Sequence, residues 1–163
     1  MRIVPVPFDH PDAMKLNEIV LQEYAVRYGD PEGDATPLDP SMFAPPRGLY
    51  LLAYDDAERP LATGGWRSMD ANGENYRDGD AELKRMFVVR EARGLGLARR
   101  ILGLLEEDAR QAGRTRMVLE TGIEQPEAIA LYTSSGYEPV TEKFGHYRFE
   151  KESRCFSKPL RKG

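Results

Sequence analysis

Apolar residues recur along the chain with two periods. Short runs such as "GLYLLAY" (48–54), "LATGGWRSM" (61–69), "AELKRMFVV" (81–89) and "TRMVLET" (115–121) are rich in β-branched and aromatic residues. They are bounded by polar or glycine-containing turns, which predicts strands. Other stretches repeat every three or four residues. Leu16, Ile19, Val20, Tyr24 and Tyr28 make one apolar face between Asp9, a candidate cap, and Gly29, a candidate stop. Leu97, Ile101, Leu104, Leu105 and Ala112 make another, with Glu106 and Arg110 spaced to pair and Gly113 placed to end the helix. "QPEAIALYTSSG" predicts a third helix opened by Pro126 and closed by Gly136. "RIVPV" at the start and "YEPVTE" and "SRCFSKPL" at the end read as further strands.

The predicted order is therefore β-α-loop-β-β-β-α-β-α-β-β, with one short helical turn allowed in the proline-rich loop of residues 30–47. The strand–helix–strand unit of residues 81–121 should be parallel and the flanking hairpins antiparallel. This is an α/β chain with a central mixed sheet. No repeat or low-complexity linker interrupts it, so residues 1–163 are expected to form a single domain.

Charge and cysteine usage narrow the chemistry. Lys plus Arg number 23 against 27 Asp plus Glu, a net charge of −4 with neutral histidines. That mild acidity argues against non-specific binding to nucleic acid or a membrane surface. The single cysteine, Cys155, cannot form an intrachain disulfide, and no Cys/His cluster suggests a metal site. The opening "MRIVPVPFDH", interrupted by Pro5 and Pro7, reads as neither a signal peptide nor a membrane span, so a cytoplasmic protein is expected.

The most informative stretch is "ARGLGLARRIL" (92–102), where two glycines follow a strand and open a helix. The first N–H groups of a helix lack partners, and glycine allows positive φ and close approach to the backbone. With Arg93 alongside, this is an anion cradle suited to a phosphate or pyrophosphate. A P-loop would require a lysine after the glycines. A dinucleotide turn would require a small residue where Arg99 stands. The remaining pattern, [Q/R]-x-x-G-x-[G/A], is met by Arg93, Gly96 and Ala98.

Taken with the upstream "ELKRMFV", the downstream "AIALYTSSGY" and the closing "CFSKPL", this pattern resembles the GNAT superfamily of acetyl-CoA-dependent N-acetyltransferases over about residues 48–160. The resemblance implies a twisted mixed sheet of about six to seven strands flanked by about four helices. It implies acetyl-CoA as cosubstrate, with the pyrophosphate on the backbone of Arg93, Gly94, Leu95, Gly96, Leu97, Ala98 and Arg99. Met86, Phe87 and Val88 would offer backbone groups to the pantetheine arm, and the Val88 N–H would polarise the thioester carbonyl. Gln125 stands where the family often has an asparagine that contacts the same arm, and Arg90 stands where proline is common.

An amine acceptor arrives protonated and must lose a proton, while the departing thiolate gains from receiving one. The resemblance implies Glu82 as the base, with Glu120 a weaker candidate, and Tyr132 as the acid. Cys155 has no neighbouring histidine to activate it, so direct attack of the amine is expected. No metal is expected. The acceptor is a small-molecule or peptide amine, and Tyr24, Tyr28, Met42, Phe43, Trp66, Tyr76, His146 and Tyr147 are candidates for its rim. A homodimer is left open. The alternative is a non-catalytic acyl-CoA-binding or sensing module, which would need the cradle but neither Glu82 nor Tyr132. An oxidoreductase fits less well because of Arg99.

Overall fold

The computed structural model describes residues 1–28, 38–122, 126–145 and 153–160. Seven strands form one sheet in the order β1-β2-β3-β4-β5-β7-β6. They are β1 (Arg2–Pro5), β2 (Gly48–Tyr54), β3 (Pro60–Met69), β4 (Asp80–Val88), β5 (Arg116–Gly122), β6 (Glu138–Pro139) and β7 (Ser153–Pro159). All neighbours are antiparallel except β4 and β5, which are parallel and joined by a helical crossover. The mixed sheet expected from the sequence is thus present. The stretch read as a strand after Gly136 shrinks to two residues, since a turn follows Pro139.

Three α-helices are described: α1 (Pro11–Tyr28), α2 (Leu97–Gln111) and α3 (Pro126–Ser134). Two short 3₁₀ turns, Pro40–Phe43 and Arg90–Ala92, accompany them, so the expected four helices are three plus turns. The cap of α1 is not Asp9. The Asp12 N–H donates to His10 Nδ1 at 3.1 Å, one residue nearer the helix. Both α2 and α3 end as foreseen on glycines with positive φ, Gly113 at 88° and Gly136 at 94°. At α2 the Arg114 N–H reaches the Ala109 carbonyl and Gly113 reaches Arg110. At α3 Tyr137 reaches Tyr132 and Gly136 reaches Thr133. Both ends therefore satisfy otherwise orphaned carbonyls in the same 6→1 and 5→2 pattern.

Strand alternation divides the sheet into two faces. On one, Leu51, Ala53, Ala62, Trp66, Ala81 and Leu83 pack against Leu97, Ile101, Leu102, Leu105 and Ala109 of α2. On the other, Tyr50, Leu52 and Tyr54 pack against Ala13 and Leu16 of α1 and against Phe8 and Phe43. The buried stripe of α2 is rotated from the predicted one. Leu102 and Ala109 point inward, whereas Leu104 is 48% exposed and Ala112 is also exposed. Glu106 does not pair with Arg110, which bonds Glu107 instead. Glu106 accepts from the Tyr137 hydroxyl at 2.7 Å and Lys158 Nζ at 3.1 Å, tying α2 to the end of α3 and to β7.

Trp66, the only tryptophan, is fully buried with Nε1 donating to Asp108 at 2.9 Å. It lies in the same cluster as Leu105. Leu105→Ala should therefore cost about 2–5 kcal/mol, read from urea unfolding followed by Trp66 fluorescence.

Candidate active site

The site begins where β4 and β5 part. Their parallel pairing runs through Asp80–Arg116 and Ala81–Met117 and ends at Glu82–Val118. β4 continues to Val88 along β3, so its outer edge from Leu83 onward faces a cleft rather than a strand. Opposite Gly64 the register slips by one residue, leaving Arg85 and Met86 against a single partner. Arg85 takes φ 60° at this bulge, uncommon for a side chain of its size. The Val89 N–H returns to the Leu61 carbonyl at 2.9 Å. Backbone alternation then turns the N–H and C=O of Val88 toward the cleft, where the Val88 carbonyl accepts from Arg93 Nε at 3.1 Å.

The cleft holds about 340 Å³ and is walled by Met86, Phe87 and Val88, by the glycine turn, and by Leu131 and Tyr132 of α3. Gly94 has φ 85° and Gly96 φ 77°, and a Cβ on either would meet nothing within 4 Å. Backbone conformation, not internal crowding, therefore requires glycine, and the space in front of both is open. Gly96 is the N-cap of α2 and supplies no side-chain cap. The first helical bond is Arg100 N–H to the Gly96 carbonyl, so the Leu97, Ala98 and Arg99 amides have no backbone acceptor among the described residues. Leu97 is buried and Leu95 points out, 58% exposed. The Arg99 guanidinium bridges to α3, donating to Ser135 Oγ at 3.1 Å and Ser134 Oγ at 2.9 Å.

Tyr132 is buried, and its ring meets Tyr137 edge-on at 5.7 Å. Its backbone carbonyl also accepts the Tyr137 N–H at 3.0 Å, so the helix-ending motif fixes this residue twice. Burial, and then the Glu106 carboxylate, hold the Tyr137 hydroxyl far above the ordinary phenol range.

Glu82 lies on the α1 face of β4, 1% exposed. Its Oε1 accepts from Arg67 Nε at 2.8 Å and pairs with Arg67 Nη2 at 2.7 Å. Its Oε2 accepts from the Tyr76 hydroxyl at 2.7 Å. Burial, and next the Glu82 charge, raise the Tyr76 hydroxyl well above its usual range, so it serves as a donor. Separating such a buried pair costs about 3–5 kcal/mol. Glu120 shares this face, opposite Cys155 in the β5–β7 register.

This geometry coincides with similarity to known proteins. The family model described as "Acetyltransferase (GNAT) family" matches residues 14–137. The chain belongs to the GNAT family. It is 43% identical over 82 residues to an IAA acetyltransferase of Azospirillum brasilense, covering 50% of this chain and 53% of that one. An uncharacterized N-acetyltransferase of Schizosaccharomyces pombe is 30% identical over 144 residues, covering 88% and 84%. An uncharacterized N-acetyltransferase of Bacillus subtilis, YjcF, is 29% identical over 58% of this chain and 59% of its own. The chain thus spans little more than half the length of the Azospirillum and Bacillus relatives. Among solved structures, a GNAT-family acetyltransferase of Staphylococcus aureus superposes with TM-score 0.70 at 16% identity, covering 98% and 100%, which speaks to the fold alone.

Against the GNAT frame, most expected cofactor residues converge on one cleft. Met86, Phe87, Val88, Arg93, Gly94, Gly96, Leu97, Ala98, Arg99 and Tyr132 line it; the Leu95 side chain does not. Gln125, His146 and Tyr147 lie outside the described residues, as do the side-chain surroundings of Tyr24 and Tyr28. The aromatic rim needs correction. Phe43, Trp66 and Tyr76 are all buried: Phe43 stacks on Phe8 in the α1 core, Trp66 lies under α2 and Tyr76 bonds Glu82. Glu82 is buried and pairs with Arg67. The sequence reading missed Arg67, although the β3–β4 register sets it directly opposite Glu82. It also missed Tyr137, which steadies Tyr132.

Among the described residues no helix is long and apolar enough to cross a membrane, and no group of three or more His, Cys, Asp or Glu could hold a metal ion. Cys155 is buried, and burial pushes its thiol up to about 11. The thiol should resist a disulfide reagent at pH 8 in the native protein and react once per chain in denaturant. Since the folded value is raised above the ordinary 9.0, its contribution to stability is full below about 9. That contribution is lost as pH rises toward about 11, which chemical unfolding at stepped alkaline pH would measure.

Proposed function

We propose that this GNAT protein is a cytoplasmic N-acetyltransferase moving the acetyl group of acetyl-CoA to the primary amine of a small molecule or peptide. One observation carries the reading: an uncapped helix start with two open glycines stands at the mouth of a cleft edged by unpaired β4 backbone. The amides of residues 94–99 fit an anionic pyrophosphate, aided by the helix dipole and the Arg93 side chain, whose own N–H bonds the Arg90 carbonyl. The free β4 edge at Met86–Val88 suits an extended amide-bearing arm, which it would bind as a strand binds its neighbour. Gln125 is kept as a further contact to that arm. Acetyl-CoA supplies the activated acyl group.

The residues of the chain would then divide the proton work. The Val88 N–H donates to the oxygen on which negative charge gathers. Tyr132 gives a proton to the departing sulfur. Glu82 takes the proton of the amine. Both its oxygens are already engaged, so that proton would travel by a relay through water or the Tyr76 hydroxyl, which can donate to Oε2 as it accepts. Cys155, buried and held protonated, is unsuited to carry an acyl group, which favours direct attack. A sensing module would keep the cradle without this second layer. The enclosed Arg67–Glu82–Tyr76 set and the doubly fixed Tyr132 favour the enzyme.

Acetyl-CoA at ~100 times its Kd should stabilise the protein by ~2.7 kcal/mol in thermal unfolding, and Gly96→Glu should remove the effect. A protein stabilised by NAD but not by acetyl-CoA would sink this reading. Tyr132→Phe and Glu82→Gln should each keep the acetyl-CoA stabilisation while lowering turnover about 100-fold or more, scored by free thiol release across an amine panel. Unchanged turnover in either variant removes that residue's role.

A further inference from the structure

On β4 a cation stands without a counter-charge among the described residues. The bulge sends Met86 toward α2, where its Sδ is the atom a Cβ on Gly64 would strike. Phe87 packs with the α1 core. The register sets Arg85 one position beyond the row Tyr50–Gly65–Lys84, and its charge acts on the Tyr50 hydroxyl. Arg85 Nε is buried and without a hydrogen-bond partner, and no carboxylate pairs with the guanidinium among the described residues. The Asn17 side chain is the second donor at this place. Its Oδ1 accepts from Tyr50 at 3.4 Å, while its Nδ2 is buried with nothing to donate to. Two buried donors without partners, one of them on a cationic side chain, are a destabilising arrangement.

The neighbouring charges do not resolve it. Arg67 is consumed by Glu82, and Lys84, 5% exposed, is already engaged. Glu82 and Asp80, buried carboxylates of the α1 face, have their oxygens taken. What remains among the described residues is one positive charge, one amide N–H₂ and the buried Thr63 hydroxyl, each able to donate. Their complement is a monoanion with two acceptor oxygens.

We infer that the amine acceptor carries a carboxylate, and that Arg85 and Asn17 bind it on the α1 face of β4. The inference rests on the transferase reading above. Arg85 lies three residues after Glu82 and three before Val88 on the same strand. At ~3.3 Å per residue, a carboxylate held there keeps an attached amine within about 10 Å of both ends of the reaction. The strained φ of Arg85 has a use on this account, since it aims a long cationic side chain out of the regular strand alternation.

The test compares matched pairs of amines that differ only in the anion: L-phenylalanine with its amide, L-leucine with its amide, and 4-aminobutyrate with its amide. Stabilisation by acetyl-CoA is measured first, then thiol release. For any pair accepted, kcat/KM for the acid should exceed that for the amide by about tenfold or more. Arg85→Gln should bring the ratio near one, chiefly through KM, and Arg85→Lys should restore part of it. Amides used as well as acids, or a ratio untouched by Arg85→Gln, would overturn the inference. If no pair turns over, calorimetry of the three acids with the CoA-bound protein decides. Binding to the native protein that Arg85→Gln loses upholds the anchor, and equal or absent binding overturns it. Failure of acetyl-CoA to stabilise the protein defeats the transferase reading and the anchor together. Stabilisation with a flat acid-to-amide ratio defeats the anchor alone.

Discussion

The structure turns on a backbone constraint: parallel strands β4 and β5 stop pairing after Glu82 and Val118 while both continue. Unpaired peptide groups are costly when buried, so the two strands must open onto space that water or a ligand can reach. The bulge at Arg85 and the crossover through α2 set the shape of that opening. The amide-rich start of α2 closes one end of it and α3 closes a side. Everything assigned to cofactor binding follows from this divergence. Without it the glycine turn would be an ordinary strand-to-helix connection.

β4 serves two chemistries because its neighbours do. Toward α2 its side chains are apolar and complete the larger core. Toward α1 they include Asp80, Glu82 and Lys84, with Arg67 and Tyr76 bonded to Glu82 and Phe87 beyond them. The free edge between the faces belongs to the backbone alone. On the proposed function, donor arm, acceptor and proton traffic approach a single strand from different directions. Removing Glu82 would leave Arg67 as a second buried cation, so that face tolerates few substitutions singly.

Local chemistry was legible in the chain, and long-range chemistry was not. The order of elements, the mixed sheet and the closing glycines Gly113 and Gly136 followed from periodicity and turn residues, which act over a few positions. The glycine turn was equally plain, because positive φ and an uncapped helix start are local demands. The surroundings of Glu82 were hidden. They depend on the β3–β4 register, which places Arg67 opposite, and on a loop that delivers Tyr76 from six positions upstream. Leu104 misled because heptad-like spacing marks a stripe without saying how the sheet beneath is oriented. Phe43, Trp66 and Tyr76 looked like rim residues because aromatic character alone does not distinguish a rim from a core.

The end of α3 has a consequence for how the two halves of the cleft communicate. Tyr137 follows the helix stop, stacks on Tyr132 and reaches Glu106 of α2, which also holds Lys158 of β7. From the other direction Arg99 of α2 grips Ser134 and Ser135. The helix whose first turn faces the cradle and the helix that presents the tyrosine are therefore clamped at two points, by groups the reaction itself does not use. In mechanical terms they form one bracket. A displacement at the start of α2 is transmitted to the tyrosine through side chains rather than along the chain, where the rest of α2, all of β5 and the first residues of α3 separate Arg99 from Tyr132.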